Sequence, residues 1–429
     1  MNENAILVVS IDGFVSSYSG VGALIRNFFG SYDRLSAAIP SLVRCDLYGA
    51  CPDLRRSEGF SEELMSRTKA TCESFGGRLM YLDTLADHRS TKEEWSAPNS
   101  FPLEGIDSHS AMLMQWEAMS CAAATLAIML GDVYRRVLVI AHEIPFASLS
   151  RRLQYHDSVI VLHVPHAFGV QTSGKYGEVI RRYEYQEFPR VYRSGYVAYI
   201  NDFSKEILLK SYSAPEGCLV RLRNGILKRD VKPITDAELY SLGVPDEVPI
   251  VFAWGRGDPT KNFHATINFV EALNNRDDRK VHLLLLAPPN EGDDDYVATL
   301  RQSAERNPDI TILTTHDSEL PLAALQSPRV IAAVFASLLE LAPLVALEAL
   351  RYRHANLRIL YLDAPYYDAF SGQAGCRKFS VAEREEMLAA FDSVNLAADF
   401  SSEASLPGDF ISNYAEDLCS FITKKFVNY

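Results

Sequence analysis

The chain is 429 residues long, which is more than one hydrophobic core usually organises, so we expect two domains. Hydrophobic residues make up 48% of it and the formal net charge is -13. These values fit a globular protein and exclude binding of nucleic acid or anionic membranes through overall charge. The seven cysteines are dispersed without Cys-x-x-Cys spacing, which disfavours a zinc site or a disulfide scaffold and favours reduced thiols in the cytoplasm.

The N-terminal stretch MNENAILVVSIDGF has no basic leader, and its apolar part is too short to span a membrane. No later apolar run reaches the required length either. We therefore expect no stable membrane anchoring.

Short apolar runs rich in β-branched residues alternate with helical segments along the chain. The first series covers residues 5–11, 136–142, 158–164 and 196–200. The second covers residues 249–255, 281–287, 310–315, 330–336 and 357–363. Because such runs between polar turns are typical of buried strands in a parallel sheet, the pattern predicts two doubly wound α/β units.

A polar, proline-bearing segment at 227–249 separates the two series and predicts a link followed by a short helix. We accordingly expect an N-terminal domain over 1–230 and a second domain over 231–408. Residues 409–429 have helical periodicity and are expected to pack back on the first domain. The irregular polar stretch 85–110 is interpreted as a surface loop or lid.

The loop after the first strand, SSYSGVGALIRNFF, places Gly20 and Gly22 before an amphipathic helix. Glycines there let a ligand approach the backbone, and a helix N-terminus offers free N–H groups to an anion. A simple tight turn explains the two glycines equally well. The dinucleotide fingerprint G-x-G-x-x-G is absent because Ile25 stands at its third glycine, so NAD binding is disfavoured.

The loop FAWGRGDPTKN follows the first strand of the second series and contains Arg256 and Lys261. Two cations at the carboxyl end of a strand suit a diphosphate leaving group, because doubly wound sheets bind ligands at that edge. A solvated turn at Asp258-Pro259 is the alternative. It is not a Walker loop, since no glycine directly precedes the lysine.

Three histidines lie at strand ends in the first domain: His142, His163 and His166. A histidine at this position can hydrogen-bond a sugar hydroxyl or move a proton, whereas the alternative is a satisfied, buried imidazole. Three of them at one rim favour at least one functional contact. No carboxylate set completes a metal site, so we expect no metal.

Glu340 and Glu348 stand eight residues apart in VFASLLELAPLVALEAL. That spacing is just over two helical turns, so on one helix both carboxylates would project to the same side and could grip a polyhydroxylated ligand. Acidic residues near a helix start are common, so the spacing alone is weak.

The order of these motifs resembles the GT-B glycosyltransferases of the large retaining group 4 type. The matching segments are SGVGALIRNF, VLHVPH, YINDFSKEIL, RNGI, WGRGDPTKN and the glutamate pair, and they extend over nearly the whole chain. The resemblance implies an α/β fold of the GT-B type, with two Rossmann-like doubly wound domains facing a central cleft. The first domain would bind the acceptor and the second a nucleotide sugar.

The resemblance also implies roles for individual residues. His163 would lie near the transferred sugar, Arg256 and Lys261 would neutralise the leaving diphosphate in place of a metal, and Glu340 would contact the sugar hydroxyls; these four are the expected catalytic residues. Donor binding is expected at Gly20, Gly22, Gly255, Glu348, Thr315 and His316, with Glu348 on the ribose. Acceptor contacts are expected from His142 and His166.

Two departures from that pattern concern the second domain. Ala342-Pro343 stand where the family usually has Phe-Gly, and the segment YRHANLRILYLDAPYYDAF lacks the usual glycines. Proline has no N–H, so a backbone donor to the diphosphate would be missing there. A specialised donor or reduced activity would fit both departures.

The function expected from the sequence is that of a cytoplasmic, retaining hexosyltransferase that needs no cofactor or metal. Its partners would be a nucleotide-sugar donor, most commonly a UDP-sugar, and a soluble small-molecule or saccharide acceptor, without nucleic acid. The alternatives are a non-catalytic binding or partner subunit of the same fold and a sugar epimerase of the same architecture.

Overall fold

The structure is a computed structural model that describes residues 2–16, 20–55, 60–82, 108–172, 174–276, 280–289, 294–394 and 410–427. The segment interpreted as a surface loop or lid lies outside these residues up to position 107. Contacts divide the chain into two compact units, which we call unit 1 and unit 2. Unit 1 comprises residues 1–227 and 408–429, and unit 2 comprises residues 228–407.

Unit 1 contains a seven-stranded sheet in which every neighbouring pair is parallel. Its strands run in the order β3-β2-β1-β4-β5-β6-β7. They are β1 (Asn4–Val9), β2 (Cys45–Cys51), β3 (Leu79–Tyr81), β4 (Arg136–His142), β5 (Val159–Val164), β6 (Gly195–Tyr199) and β7 (Leu219–Arg221). The central strand β1 is buried from Ala5 to Val9, as expected for a parallel strand covered on both faces.

The helices of unit 1 connect these strands. They are α1 (Gly20–Gly30), α2 (Tyr32–Ala38), α3 (Glu62–Ser74), α4 (Ser108–Gly131), α5 (Leu149–Leu153), α6 (Gly174–Ser194) and α7 (Asp202–Ser211). Local chemistry sets some of the helix starts. The Asn201 side chain accepts from the Ser204 amide at 2.8 Å, and the Ser204 hydroxyl accepts from the Asn201 amide at 3.1 Å, which is a capping box at α7.

Unit 2 contains a six-stranded parallel sheet in the order β10-β9-β8-β11-β12-β13. Its strands are β8 (Ile250–Trp254), β9 (His282–Leu286), β10 (Ile310–Leu313), β11 (Val330–Phe335), β12 (Arg358–Leu362) and β13 (Cys376–Phe379). Its helices are α8 (Asp236–Ser241), α9 (Phe263–Arg276), α10 (Asp294–Arg306), α11 (Leu320–Leu325), α12 (Leu344–Tyr352) and α13 (Arg384–Asp392).

Four strands were missed by the sequence analysis: β2, β3, β7 and β13. Strand β2 reads CDLYGAC, with a buried aspartate and a glycine where an apolar run was required. The neighbouring structure supports it, because Asp46 accepts from the Tyr134 hydroxyl at 2.6 Å and its strand pairs along all of β1. The other three are edge strands of three or four residues, too short to show a period.

Helix α4 corrects the expectation that no apolar run is long enough to span a membrane. Residues Met112–Gly131 pass that test by length and composition. Half of the stretch is nevertheless buried within the protein, and Trp116, Met119 and Ala123 are among its enclosed side chains. That burial is what the core helix of a globular unit also shows.

The last described α-helix, α14 (Phe410–Phe421), belongs to unit 1 although it follows unit 2 in sequence. Its buried Tyr414 packs edge-on against Phe28 of α1, with 5.7 Å between ring centroids. Its Asp417 accepts hydrogen bonds from Arg221 and Arg223 at 3.1 and 2.8 Å.

In each sheet the order of the strands reverses at one point, between β1 and β4 in unit 1 and between β8 and β11 in unit 2. Open α/β sheets bind ligands at the carboxyl ends of the strands beside such a switch point, because the connecting helices diverge there to opposite faces. The topology thus marks one edge of each unit as a candidate site.

Candidate functional site

In unit 1, the strand ends beside the switch point carry ionisable side chains. Asp12 follows β1, His142 ends β4 and Glu143 follows it. His163 lies in β5, paired with Ala141 of β4. Of the residues predicted from sequence, this edge brings together the three histidines. Asp12 and Glu143 were not among the predicted site residues.

His142 and His166 are in direct contact. Their rings stack at an interplanar angle of 15°, and His142 Nδ1 lies 2.9 Å from His166 Nε2. Burial lowers the pKa of His142 well below its usual value, with additional effects of His166 and His163. Burial also lowers the pKa of His166 to about 4. At neutral pH both rings are therefore uncharged, and one donates a hydrogen bond to the other.

His163 is fully enclosed and packs against the Phe188 ring, with 5.7 Å between centroids. Burial, followed by the neighbouring His166, lowers its pKa to about 3, against a smaller opposing effect of the Ala141 backbone. Neither ring nitrogen forms a well-aligned hydrogen bond with the described part of the protein. The ring is therefore neutral and keeps its hydrogen-bonding capacity, but it is not exposed at the surface; its role beside the sugar stays a prediction.

Glu143 has the most unusual backbone of this edge. Its φ of 72° and ψ of 163° lie in a region that is almost restricted to glycine and costs about 1–3 kcal/mol. Burial, followed by the charge of Asp12, raises the pKa of its carboxyl to about 8. Such strain and such a shift cluster at functional sites. In the sequence, Glu143 is recognisable only as a glutamate directly after a buried strand. Residue spacing does not distinguish such a glutamate from an ordinary surface residue.

Tyr176, near the start of α6, belongs to the same environment. Tyr176 is 46% exposed, and partial burial of its phenol, followed by the charge of Glu143, raises the pKa of that phenol. The hydroxyl therefore stays protonated near neutral pH and is able to donate a hydrogen bond.

The two predicted glycines of unit 1 differ in their surroundings. Gly22 lies in the first turn of α1 against Asp12, because a Cβ built on it would be 2.2 Å from Asp12 Oδ2. Asp12 Oδ1 accepts a hydrogen bond from the Gly13 amide at 2.7 Å. Gly20 has no described atom within 4 Å of such a Cβ. A carboxylate thus already lies against the helix start at which the sequence analysis expected the diphosphate.

In unit 2, the loop after β8 is shaped by its own side chains. Asp258 accepts from the Thr260 amide at 3.0 Å and begins the short 3-10 turn Pro259–Lys261, which ends at Asn262 in a left-handed conformation with φ 53°. Gly255, with φ 153°, lies where a Cβ would be 3.5 Å from the Lys261 side chain. The turn therefore directs Lys261 back across the end of its own strand.

Lys261 and Glu340 form an ion pair between the carboxyl ends of β8 and β11. The two side chains are only 12% and 15% exposed, so water screens the pair weakly. A backbone hydrogen bond from Leu338 to Thr260, 2.7 Å long, joins the same two loops. Two predicted catalytic residues are thus in contact at the switch point of unit 2.

Two tyrosines border this ion pair. Burial, followed by the charge of Glu340, raises the pKa of Tyr366 to about 12 and also raises that of Tyr367. The Tyr366 hydroxyl donates to the Ser337 carbonyl at 2.8 Å, which holds the ring beside the β11 loop. Neither tyrosine was identified from the sequence.

Arg256 is not part of the ion pair. Its side chain is about half exposed, and its Nε lies 3.5 Å from an Asp258 carboxylate oxygen. A long, exposed cation next to the pair is able to turn toward an anionic ligand at low conformational cost, whereas Lys261 is already held.

Glu348 lies within α12, while Glu340 lies in the loop before it, so the two glutamates are not on one helix. Arg229 connects Glu348 with the loop after β10, because its guanidinium is 3.8 Å from Glu348 Oε1 and 3.4 Å from Ser318 Oγ. The predicted Thr315 and His316 are exposed on that same loop. Arg229 itself is fixed by its amide, which donates to the Tyr352 hydroxyl at 2.6 Å.

Pro343 is the N-cap of α12, with an extended backbone. It offers no N–H, so the first amide donors of the helix are those of Leu344 and Val345. The departure at Pro343 removes one donor but keeps a helix N-terminus four residues from Glu340.

Within the described residues, no group of three or more His, Cys, Asp or Glu side chains could hold a metal ion. The expectations of no metal and no cofactor remain untested.

Comparison with known proteins gives no match at the level of sequence but clear matches at the level of the fold. No family model matches the sequence, and no curated protein matches it. Solved structures do match over nearly the full length. A sucrose-phosphate synthase from Thermosynechococcus elongatus has a TM-score of 0.62 at 16% identity, with 99% of this chain and 95% of that chain covered.

Two further solved structures are similar to the same degree. A UDP-forming α,α-trehalose-phosphate synthase from Burkholderia xenovorans, in complex with glucose-6-phosphate, has a TM-score of 0.59 at 13% identity and covers 99% and 98% of the two chains. A trehalose-6-phosphate structure from E. coli, bound with UDP-2-fluoro glucose, has a TM-score of 0.58 at 13% identity and covers 99% and 96%. The expectation from the motif order is confirmed at the level of the fold: the chain has the GT-B fold, with two Rossmann-like units built on parallel sheets.

Proposed function

We propose that the protein is a retaining, metal-independent glycosyltransferase of the cytoplasm. It moves a hexosyl group from a UDP-sugar to a soluble small-molecule or saccharide acceptor. The observation that carries this proposal is the contact of Lys261 with Glu340 at the switch point of unit 2, where two residues predicted for donor chemistry meet.

The chemistry of the donor explains why such a pair is useful. When the bond between the sugar and the diphosphate breaks, negative charge develops on the leaving oxygen and positive charge on the anomeric carbon. Lys261 and the exposed Arg256 supply fixed and mobile positive charge for the diphosphate, and Glu340 supplies a hydroxyl acceptor for the sugar. The N-terminal amides of α12 favour an anion at the same edge.

Glu348 fits the nucleoside part of the donor. Its carboxylate is 20% exposed and is held by Arg229, which also reaches the loop of Thr315 and His316. A carboxylate oriented in this way accepts hydrogen bonds from the two ribose hydroxyls. The choice of UDP is supported by two proteins of this fold, one described as UDP-forming and one bound with UDP-2-fluoro glucose.

A non-catalytic binding protein of the same fold is the second candidate. Pro343 supports it, because the helix start nearest Glu340 lacks one amide donor to a diphosphate. This candidate shares nucleotide binding with the enzyme but predicts no product.

Nucleotide binding is tested by thermal unfolding of the full chain with UDP-, GDP-, ADP- and dTDP-glucose, each with magnesium and with EDTA. We expect stabilisation by UDP-glucose that is the same in both conditions, since a ligand that binds only the folded state raises the melting temperature. Glu348→Ala should weaken the effect. The matched control is Glu305→Ala, which truncates an exposed glutamate on α10. Stabilisation by no nucleotide at millimolar concentration contradicts the proposal, and stabilisation only with magnesium contradicts metal independence.

Transfer is tested on the protein that binds the nucleotide. UDP release is measured with a panel of sugar and polyol acceptors, and the anomeric configuration of the product is read from its proton NMR coupling. An α-linked product from an α-linked donor is expected. Binding of UDP-glucose without UDP release for any acceptor favours the non-catalytic candidate instead.

A further inference from the structure

Aromatic side chains enclose the loop that follows β5. We call residues 165–172 the β5 loop, because they connect that strand with α6. Its Phe168 is 0% exposed and packs against the rings of Phe188 in α6 and Tyr212 directly after α7, with 6.4 and 5.6 Å between centroids. Phe188 is also the ring that lies against His163. One aromatic cluster therefore contacts both the β5 loop and the His163 ring.

The β5 loop lies directly on the backbone of α6. A Cβ built on Gly169 of the loop would be 2.3 Å from the Arg181 amide nitrogen of the helix. A Cβ built on Gly177 of the helix would be 2.0 Å from the Thr172 carbonyl oxygen of the loop. Only glycine permits backbones to approach so closely, so the path of the loop depends on its contacts with α6.

Glu184 of α6 accepts hydrogen bonds from this region. Its side chain is 0% exposed, and its Oε2 accepts from the Gly169 amide at 2.8 Å and from the Tyr212 hydroxyl. The Tyr212 hydroxyl in turn accepts from the Val170 amide at 3.4 Å. Two consecutive amides of the β5 loop are thus held, one by Glu184 directly and one through Tyr212. Burial of a carboxyl group costs free energy that its hydrogen bonds must offset, so a residue that only filled space here would be apolar.

We infer that Glu184 is a positioning residue for the proposed glycosyl transfer. Enclosed in the protein, it contacts no substrate itself; it holds the Gly169 amide and thereby places His166, three residues earlier in the same loop. The hydrogen bond between the His166 and His142 rings, 2.9 Å long, depends on that placement. The inference rests on the proposed function, because it adds a residue to the side of the site at which these two histidines are expected to contact the acceptor.

Substitutions at Glu184 separate positioning from stability. Glu184→Gln keeps an oxygen that accepts from the Gly169 amide, whereas Glu184→Leu removes both acceptors at similar volume. The double variant Glu184→Leu/Tyr212→Phe also removes the hydroxyl that would be left without its partner, and it should recover melting temperature without recovering position. Glu178→Leu is the matched control, because Glu178 is an exposed glutamate of the same helix.

The first measurement is NMR of the full chain with 15N-labelled histidine, in which long-range proton–nitrogen correlations report the tautomer of each ring. The native chain should show one tautomer each for His142 and His166, since one ring donates to the other. Both leucine variants at Glu184 should shift these ring signals or populate both tautomers. Glu184→Gln and Glu178→Leu should preserve them, and the exposed His316 of unit 2 serves as the internal reference.

The second measurement is the steady-state rate of UDP release. Both leucine variants should lower kcat roughly 10- to 100-fold, because misplaced groups at a reacting centre lose rate steeply. The KM for UDP-glucose should change by less than about twofold, because the donor is proposed to bind unit 2. Glu184→Gln should keep kcat within about threefold of the native value, since the acceptor oxygen is still present.

Unchanged histidine signals in both leucine variants overturn the inference, and so does an equal loss of kcat in Glu184→Gln. If neither leucine variant folds, Tyr212→Phe takes their place: it removes one bond to Glu184 and the bond from Val170, and unshifted histidine signals in it contradict the inference. If the native chain releases no UDP with any acceptor, the proposed transfer fails, and the histidine signals alone decide whether Glu184 positions the ring pair.

Discussion

At the scale of single residues, the two candidate edges differ in how their ionisable groups are held. Unit 2 places a lysine and a glutamate in contact, so each neutralises the other until an anionic ligand competes for the lysine. In unit 1, burial and then the charge of Asp12 raise the pKa of Glu143 to about 8, so this carboxyl keeps its proton at neutral pH. The side chains at both edges are partly buried. A substitution that removes one partner of such a pair therefore lowers the stability of the fold more than a substitution of both partners by apolar residues.

Lys261→Met is expected to reduce kcat roughly 10²- to 10³-fold, the effect of losing one preorganised charge on a leaving group. It should also lower the melting temperature, because Glu340 is left partly buried without its cation. Activity is read from UDP release and stability from calorimetry. The double variant Lys261→Met/Glu340→Gln should recover the melting temperature without recovering kcat.

Lys232→Met is the matched control for that prediction, since it shortens an exposed lysine of the link and should change neither quantity. If the double variant regained activity together with stability, Lys261 would have a purely structural role.

The pKa of Glu143 predicts a pH dependence of stability. The folded state keeps the proton up to about pH 8, whereas the unfolded carboxyl releases it near 4.5, so the stabilisation is complete below 4.5 and declines as the pH rises to 8. The buried histidines act in the opposite direction, but only below about pH 6.5. Glu184, with a pKa of about 7, adds to the decline up to that pH.

Between pH 7.5 and 8 Glu143 therefore contributes more to the slope than Glu184 does. Urea unfolding at pH 7.0, 7.5 and 8.0 should show a falling free energy of unfolding in the native chain and a flatter course in Glu143→Gln. Equal slopes in the two proteins would rule out a raised pKa for this carboxyl. Glu184→Gln serves as the comparison, because it should leave the slope above pH 7.5 nearly unchanged.

At the scale of secondary-structure elements, regular apolar strands were predictable and irregular ones were not. Strands such as β4 and β5 are predictable from continuous runs of apolar, β-branched residues, because both faces of these strands are covered. Strand β2 contains Asp46 and Gly49, and only its neighbours β1 and Tyr134 make those residues acceptable in a sheet. The local sequence therefore predicted the core of each sheet better than its margins.

The start of α1 yields a matched pair of substitutions. Gly22→Ala places a methyl group within 2.2 Å of Asp12 Oδ2, so we expect a loss of about 1–3 kcal/mol in stability as Asp12 is displaced. Gly20→Ala meets no described atom and should be neutral or slightly stabilising, because alanine is the better helix former. Urea unfolding measures the free energy of unfolding of both variants. Equal free energies of unfolding in the two variants would show that Asp12 accommodates a methyl group at position 22 without loss of stability.

At the scale of the whole molecule, the chain returns to unit 1 after completing unit 2. Asp417 attaches the C-terminal helix α14 to unit 1. Its side chain is 3% exposed and accepts hydrogen bonds from the Arg221 and Arg223 side chains and from the Arg223 amide. These groups hold the pKa of Asp417 below its usual value, although burial opposes this shift. The C-terminal helix is thereby tied to the last strand of the unit 1 sheet.

Asp417→Ala should destabilise the protein by about 1–3 kcal/mol, because it removes several charge-assisted hydrogen bonds to arginines that stay partly solvated. Glu416→Ala, which removes the more exposed partner of Arg223, should cost no more than about 0.5 kcal/mol. Calorimetry at pH 7 measures both variants. The difference between them should shrink as the pH falls below the usual pKa of an aspartate and through the lowered pKa of folded Asp417, since the stabilisation requires the ionised carboxyl.

The sequence by itself determined the class of the fold, because buried strands and amphipathic helices alternate and each strand carries its own apolar signal. It also indicated Lys261 and Glu340 as candidate site residues, through motifs that resemble those of a known family; their roles stay predictions. Only the tertiary structure decided which distant side chains meet: the parallel sheet places Asp12 beside Glu143, and the turn at Pro259 brings Lys261 to Glu340. Spacing along a chain contains no information on such pairings, which arise when strands far apart in sequence become neighbours and bury their ends in a common environment.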